Sequence, residues 1–221
     1  MATVQRGGSR SAFRVDGVQH GWTSSLHRWL DRHHLHPGHD HAVDVRPGTA
    51  PSVKGLRRRR SKDVPACARL LRVVHSDGRY PVEWPHAPRA WLAEDDVVDA
   101  WVVERQGEIL GHVALCPVGR DGVSSLRWRE ITGLDPSRLV AVSRLFVRPR
   151  VRGQGIGTAL LDVATDAARS RGLVPVLDVA TVNEAAIRLF QERGWRLRAM
   201  DDVPGRGDRL RMLCYVAPSS T

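Results

Sequence analysis

Leu145-Phe146-Val147-Arg148-Pro149-Arg150-Val151-Arg152-Gly153-Gln154-Gly155-Ile156-Gly157-Thr158 is the most informative stretch of the chain. An apolar run stops at a proline, glycines follow at alternate positions, and an apolar helical period begins at Ile156. That order predicts a strand, a tight glycine turn and a helix in immediate succession. Glycine lets the backbone turn sharply and approach a ligand closely. The first amides of the helix have no partner within it, and the positive end of the helix dipole lies behind them. Together they make an anion site suited to phosphate. Arg148, Arg150 and Arg152 add positive charge at its rim. A glycine turn that serves packing alone is the competing reading.

Two phosphate motifs fail on residue type. A P-loop needs GxxxxGK[ST], and this stretch holds no lysine. A dinucleotide fingerprint needs GxGxxG, but Thr158 or Leu160 takes its last place, depending on whether the count starts at Gly153 or Gly155. Asp178 does stand about 20 residues on, where a ribose-binding acid belongs. Beyond Asp178, however, the chain continues as one helix and a hairpin rather than further βαβ units.

Working outward, Leu139 to Val147 reads as a strand and residues 153 to 171 as a helix with one apolar face, ended by Gly172. Val174 to Val179 is almost continuously apolar, as a strand buried on both faces would be. Asn183 to Arg193 reads as a helix closed by Gly194. Trp195 to Arg198 and Leu210 to Val216 form a terminal hairpin. Upstream, Leu56 to Arg60 reads as an edge strand, and a helix capped by Ser61 or Asp63 runs to about His75. A short helix lies around Ala90-Trp91-Leu92. Val97 to Glu104 and Glu108 to Cys116 flank the turn Arg105-Gln106-Gly107. Residues 124 to 138 are ambiguous, with a short helix ending near Gly133.

Composition bounds the class. The chain has 221 residues, 42% hydrophobic and 26% charged, which is globular. No apolar run approaches the roughly 18 residues of a membrane helix. The N-terminus MATVQRGGSRSAFR lacks the apolar core of a secretory signal, so the expectation is a cytoplasmic protein without membrane association. Cys67, Cys116 and Cys214 are far apart and form no CxxC pair, which argues against disulfides and zinc thiolates and for buried apolar cysteines. The net charge of +10 is concentrated in residues 1 to 60, which carry +7. Residues 1–53 therefore read as a disordered basic, His-rich leader and linker, 54–217 as the folded domain and 218–221 as a tail. His33, His34, His36, His39 and His41 sit at loose spacing and are read as a solvated tail rather than a metal site. Only Lys54 and Lys62 among 34 basic residues are lysine, a bias spread along the whole chain, so nucleic-acid binding is not the favoured reading.

The segment Arg152-Gly153-Gln154-Gly155-Ile156-Gly157 resembles the Q/R-x-x-G-x-G/A signature of the GNAT superfamily of N-acetyltransferases. Leu145-x-Val147-x-Pro149 before it also resembles family hallmarks. So does Asn183-Glu184-Ala185-Ala186-Ile187-Arg188-Leu189-Phe190-Gln191-Glu192-Arg193-Gly194-Trp195 after it. The likeness covers roughly residues 55 to 217 and is most specific over 140 to 196. It implies a mixed α/β fold whose central mixed sheet is splayed between two parallel strands, with helices on both faces and a C-terminal β-hairpin.

The resemblance also implies acetyl-CoA as acyl donor, with no metal. Pantetheine would lie along the main chain of Leu145, Phe146 and Val147. The diphosphate would sit at Arg152, Gly153, Gln154, Gly155, Ile156, Gly157 and Thr158. Asn183 would bond the pantetheine arm, or serve only as a helix cap. The implied partner is a small-molecule or peptide amine, on a monomer or homodimer.

An attacking alkylamine, with a pKa near roughly 10.4, must lose a proton before it reacts. Asp178 is the candidate general base, because it resembles a carboxylate five residues before the Asn in ribosomal-protein alanine N-acetyltransferases. Its apolar neighbours would raise its pKa, and the alternative is an acid paired with an arginine. Glu104 and Glu130 are weaker candidates. A backbone N–H near Val147 would stabilise the oxyanion.

One departure stands out. The family often places a tyrosine seven residues after the Asn to protonate the departing thiolate, and that position here is Phe190. A thiol pKa of about 8.5 makes thiolate departure at pH 7 cost only roughly 2 kcal/mol. Water then serves as the acid. Phe190 also leaves open a module that binds acetyl-CoA without turnover. The acceptor pocket is expected in residues 76 to 93 and 200 to 209. Tyr80, Trp84, His86 and Trp91 with Asp201, Asp202 and Asp208 would suit a small cationic amine there, or would be core and a solvated turn. Trp101 and Trp195 are expected in the core.

Overall fold

Strand β4, Leu139–Val147, and strand β5, Val174–Ala180, lie parallel at the centre of a seven-stranded sheet in the order β1-β2-β3-β4-β5-β7-β6. All other neighbours are antiparallel. The remaining strands are β1 Leu56–Arg58, β2 Asp99–Arg105, β3 Glu108–Cys116, β6 Arg196–Pro204 and β7 Arg209–Val216. The helices are α1 Val64–Gly78, α2 Pro88–Leu92, α3 Ser125–Thr132, α4 Ile156–Arg169 and α5 Glu184–Glu192. The structure is a computed structural model and describes residues 53–78, 80–93, 97–119, 123–204 and 209–219. The expected leader, its histidines and Asp208 lie outside the described residues.

β4 and β5 pair only over Leu139–Ala141 and Val174–Val176. Past Ala141 the two strands part, and the sheet opens between them. β4 also carries a bulge: His112 pairs with Phe146 and Ala114 with Ser143, so Val113 alone faces both Arg144 and Leu145. Arg144 takes φ 55° there, a left-handed conformation rare for a non-glycine residue.

Period-two alternation fixes the faces. Cys116 pairs with Ala141, and Ala141 with Val176. Paired residues share a face, and this one carries α1, α2 and α3. From α1, Val64, Cys67, Leu70, Leu71 and Val74 pack on Val102, Ile109 and Phe146. Helix α3 is capped by Ser124, whose Oγ accepts from Arg127 N–H at 3.2 Å, and it ends at Gly133 with φ 70°. It buries Trp128 against Leu139, Val176 and Cys214. The opposite face carries α4 and α5. Gly111 permits the close approach of α4, because a Cβ there would stand 2.8 Å from Leu160 Cδ1 and 3.0 Å from Ile156 Cγ2. Arg193 and Asp162 join α5 to α4 through two bonds of 3.0 and 2.9 Å.

All three cysteines are buried and free, and Trp101 and Trp195 are core residues, as expected. Strand β6 is longer than the sequence predicts. Asp201 and Asp202 read as a break after Arg198, but their charges are met by Arg127 and Arg211, so pairing with β7 continues to Pro204. No helix of the described residues is long and apolar enough to cross a membrane.

Edge strand β1 depends on one glycine. Gly55 has φ 89°, its carbonyl accepts from Glu104 N–H at 2.9 Å, and a Cβ would fall 1.9 Å from Glu104 O. Gly55→Ala therefore undocks β1 and strains the bonds from Arg57 to Asp63 (2.7 and 2.9 Å) and Glu104 (2.9 Å). We expect a loss of about 2 kcal/mol or more in denaturant unfolding. An unchanged midpoint would show that β1 contributes nothing to the fold.

Candidate functional site

The glycine stretch forms the strand, turn and helix that its residues predict, with a shorter helix. Gly153 and Gly155 have φ 76° and 74°, and a Cβ on either meets nothing within 4 Å, so both face open space. Gly155 precedes α4 and supplies no side-chain cap. The first helical bond is Ala159 N–H to Gly155 O at 2.9 Å, which leaves the amides of Ile156, Gly157 and Thr158 without a partner in the helix. A bare helix start with no side chain filling it fits a diphosphate.

The rim is less positive than three arginines suggest. Arg148 pairs with Glu108 at 2.9 Å, Arg150 pairs with the same carboxylate, and Arg152 pairs with Asp77 at 2.7 Å. Gln154 accepts a long bond of 3.4 Å from Arg105.

The free edge of β4 runs from the bulge to this loop. Arg148 N–H donates to Leu110 O at 2.8 Å on the β3 side. Alternation therefore turns Val147 N–H to the side from which β5 has departed. Leu145 and Val147 are half-buried and Phe146 is buried. Phe146 stacks on His112 with 5.0 Å between ring centroids.

Asn183 opens α5, but its side chain makes no capping bond; its carbonyl accepts from Ala186 N–H and Ile187 N–H at 3.0 and 3.1 Å. Capping does not account for its amide. Phe190 is buried, with its ring centroid 6.1 Å from both Trp195 and Tyr215. The Tyr215 hydroxyl is buried and makes no hydrogen bond among the described residues, and burial pushes its pKa upward, so it stays protonated.

Asp178 lies on β5 two residues past its last pair with β4, on the α3 face. It is half-buried, and its Oδ2 accepts from Val123 N–H at 3.0 Å. The carboxylate thus also anchors the segment entering α3. Glu104 is held by Arg57, and the exposed Glu130 by Arg127 at 2.9 Å, so neither is poised as a base.

Sequence reading missed a basic cluster on the α1 and α2 face. His112 is fully buried, with Nδ1 donating to Arg144 O at 2.9 Å, which leaves Nε2 to accept from Arg59 Nη1 at 3.1 Å. The Arg59 Nη1 group also reaches Leu92 O. The Arg144 guanidinium, 1% exposed as a residue, stacks 4.6 Å over the Trp91 ring. Burial, reinforced by Arg59 and Arg144, pushes the His112 pKa down to about 3. The only hint in the sequence is a histidine inside the apolar run Ile109-Leu110-Gly111-His112-Val113. Of the expected acceptor residues, Tyr80, Trp84 and Trp91 pack against the α1 core and His86 is exposed. Asp201 and Asp202 pair with Arg127 and Arg211 at 2.8 and 3.1 Å, so their charges are already met within the chain. Among the described residues, no group of three or more His, Cys, Asp or Glu is placed to hold a metal.

Two central parallel strands thus part beside a bare glycine-rich helix start, the arrangement that the resemblance implies for an acyl-CoA acyltransferase. The chain belongs to the acetyltransferase (GNAT) family, whose model matches residues 65–195. It is 27% identical over 154 residues to the uncharacterized N-acetyltransferase YjgM of Escherichia coli K12, covering 66% of this chain and 84% of that protein. The fold matches the ribosomal-protein-S18-alanine N-acetyltransferase of Escherichia coli with a TM-score of 0.54 at 18% identity, covering 75% of this chain and 94% of that one. It also matches Arabidopsis thaliana NAA60, solved in complex with acetyl-CoA, with a TM-score of 0.55 at 19% identity over 73% and 96% of the two chains.

Proposed function

We propose that this protein transfers an acetyl group from acetyl-CoA to a primary amine by direct attack, with both substrates bound at once. The observation that carries the reading is the opening between β4 and β5 beside the unpaired amides of Ile156, Gly157 and Thr158. The solved complex of NAA60 with acetyl-CoA, on the same fold, supports it. When bound, acetyl-CoA supplies a thioester carbonyl activated towards amines. The chain's own residues then divide the work. Gly153 to Thr158, with Arg152 and Gln154 at the edge, hold the diphosphate through main-chain donors. Leu145, Phe146 and Val147 offer strand-edge groups to the pantetheine arm, and Asn183 offers its uncapped amide. Val147 N–H faces the open side, where it binds negative charge developing on a carbonyl oxygen. Phe190 gives an apolar wall and no proton.

Asp178 receives the proton of the incoming ammonium, directly or through water. Asp178→Asn keeps an oxygen acceptor for Val123 N–H, so the fold survives the change. We expect kcat to fall at least about a hundredfold near pH 7. Recovery is expected at high pH, where the free amine grows more abundant. Release of CoA with a panel of amines reads both quantities, and full activity of the variant across pH would remove Asp178 from the mechanism. A second reading, an acetyl-CoA-binding module without turnover, rests on Phe190; no CoA release from a protein that binds acetyl-CoA would establish it.

A further inference from the structure

We propose that the amine acceptor carries an anionic group, a carboxylate or a phosphate, which Arg59 and Arg89 hold in a cavity at the N-terminal end of α1. The inference rests on the N-acetyltransferase reading above. The cavity has a volume of about 480 Å³ and is lined by Arg59, Ser61 and Arg89 together with Val64, Pro65 and Ala90. That volume is of the size that holds a small metabolite.

Its position sets it on the acceptor side. The last turn of α1 holds Asp77, which pairs with Arg152 of the diphosphate loop. The first turn, about 20 Å away at 1.5 Å per residue, lines the cavity. β4 leads from that loop at Val147 back to the bulge at Arg144. The Arg144 guanidinium stacks on Trp91, whose chain neighbour Ala90 lines the cavity. A donor held by the loop and the β4 edge would then approach along α1 from the end opposite the cavity.

Its charge selects the ligand. Arg59 spends only Nη1 on protein partners, Leu92 O and His112 Nε2, and its Nε and Nη2 make no hydrogen bond among the described residues. Arg89 makes no ion pair among the described residues. Asp63, the carboxylate of the adjoining turn, is already bound by Arg57 through both oxygens at 2.7 and 2.9 Å. Burial, with the charge of Arg144 adding to it, lowers the Arg59 pKa. A bound anion offsets that cost, since a guanidinium fork matches a carboxylate or phosphate. Glu94, Asp95 and Asp96 come next in sequence and lie outside the described residues. Among the described residues, no carboxylate lines the cavity.

The test uses matched amines that differ in the anion alone: alanine against alaninamide, O-phosphoethanolamine against ethanolamine, and putrescine as a dication. CoA release is measured with the full chain, beside calorimetric titration of acetyl-CoA and of each amine. We expect the anionic member of at least one pair to exceed its neutral partner about tenfold in kcat/KM. The favoured pair tells carboxylate from phosphate. Arg89→Gln should raise KM for that member about tenfold and erase its advantage. Equal or better use of the neutral amines or putrescine, with acetyl-CoA still bound and consumed, overturns the anion site and leaves the transferase intact. Absence of acetyl-CoA binding overturns the transferase reading instead, and the amine titrations then decide the cavity alone. Saturable anion binding lost in Arg89→Gln upholds it, and no binding by either anionic amine refutes it.

Discussion

Gly155→Glu is expected to weaken acetyl-CoA binding at least about a hundredfold, or about 2.7 kcal/mol, while the protein stays folded. The two halves of this expectation have separate causes. Gly155 sits at φ 74°, so a side chain there costs roughly 1–2 kcal/mol. A Cβ at this position meets nothing within 4 Å, however, so no packing is lost. The new carboxylate projects over the unpaired amides of Ile156, Gly157 and Thr158 and the positive end of α4. That location favours negative charge and recovers part of the backbone cost. The same carboxylate occupies the donors meant for the diphosphate and repels it. Gly155→Ala carries the backbone cost without the charge and should bind acetyl-CoA more tightly than the glutamate variant. Calorimetric titration of both, with thermal melts as control, separates strain from anion competition. Acetyl-CoA bound by Gly155→Glu as tightly as by the parent would refute the assignment of this loop.

The loop was legible because its information is local: alternate glycines between an apolar run and a helical period need no partner to be read. The same holds for α3, where Ser124 and Gly133 mark both ends of a segment whose interior is ambiguous. What sequence could not supply was pairing across distance. The rim arginines read as free charge, yet Glu108 and Asp77 come from β3 and α1. Asp201 and Asp202 read as acceptor ligands or a polar turn, but Arg127, 74 residues away from Asp201, converts one of them into a strut. The bulge at Arg144 is a property of register between β3 and β4, and alternation along β4 alone gives no sign of it. Arg59 stands within a run of four arginines read only as part of an edge strand, whereas its guanidinium turns inward to His112 and Leu92. These long-range pairings underlie the proposal of an amine acceptor that also carries an anionic group.

His112 should make the protein acid-sensitive in a way that one substitution can isolate. Its ring is buried between two arginines, with Nδ1 donating to Arg144 O and Nε2 accepting from Arg59. A second ring proton would lose the Arg59 bond and add a third positive charge to the cluster, so the folded pKa is held at about 3. The unfolded chain binds that proton near pH 6.5. Because the unfolded state takes up the proton first, stability falls as pH drops below about 6.5 and keeps falling until the folded state also protonates. The slope from this one group approaches about 1.4 kcal/mol per pH unit, which amounts to several kcal/mol across the window. His112→Asn keeps a donor for Arg144 O but cannot titrate. It should be less stable at pH 7, because it leaves a small void against Phe146. Between pH 6 and 4, however, its unfolding free energy should fall less steeply than that of the parent by nearly that slope. Carboxylates that titrate in the same range are common to both proteins and cancel in the difference. Urea unfolding at half-unit pH steps gives the two profiles. Parallel curves would mean that the imidazole is protonated within the folded protein, which would break the Arg59–His112–Arg144 chain that ties the acceptor cavity to the β4 bulge.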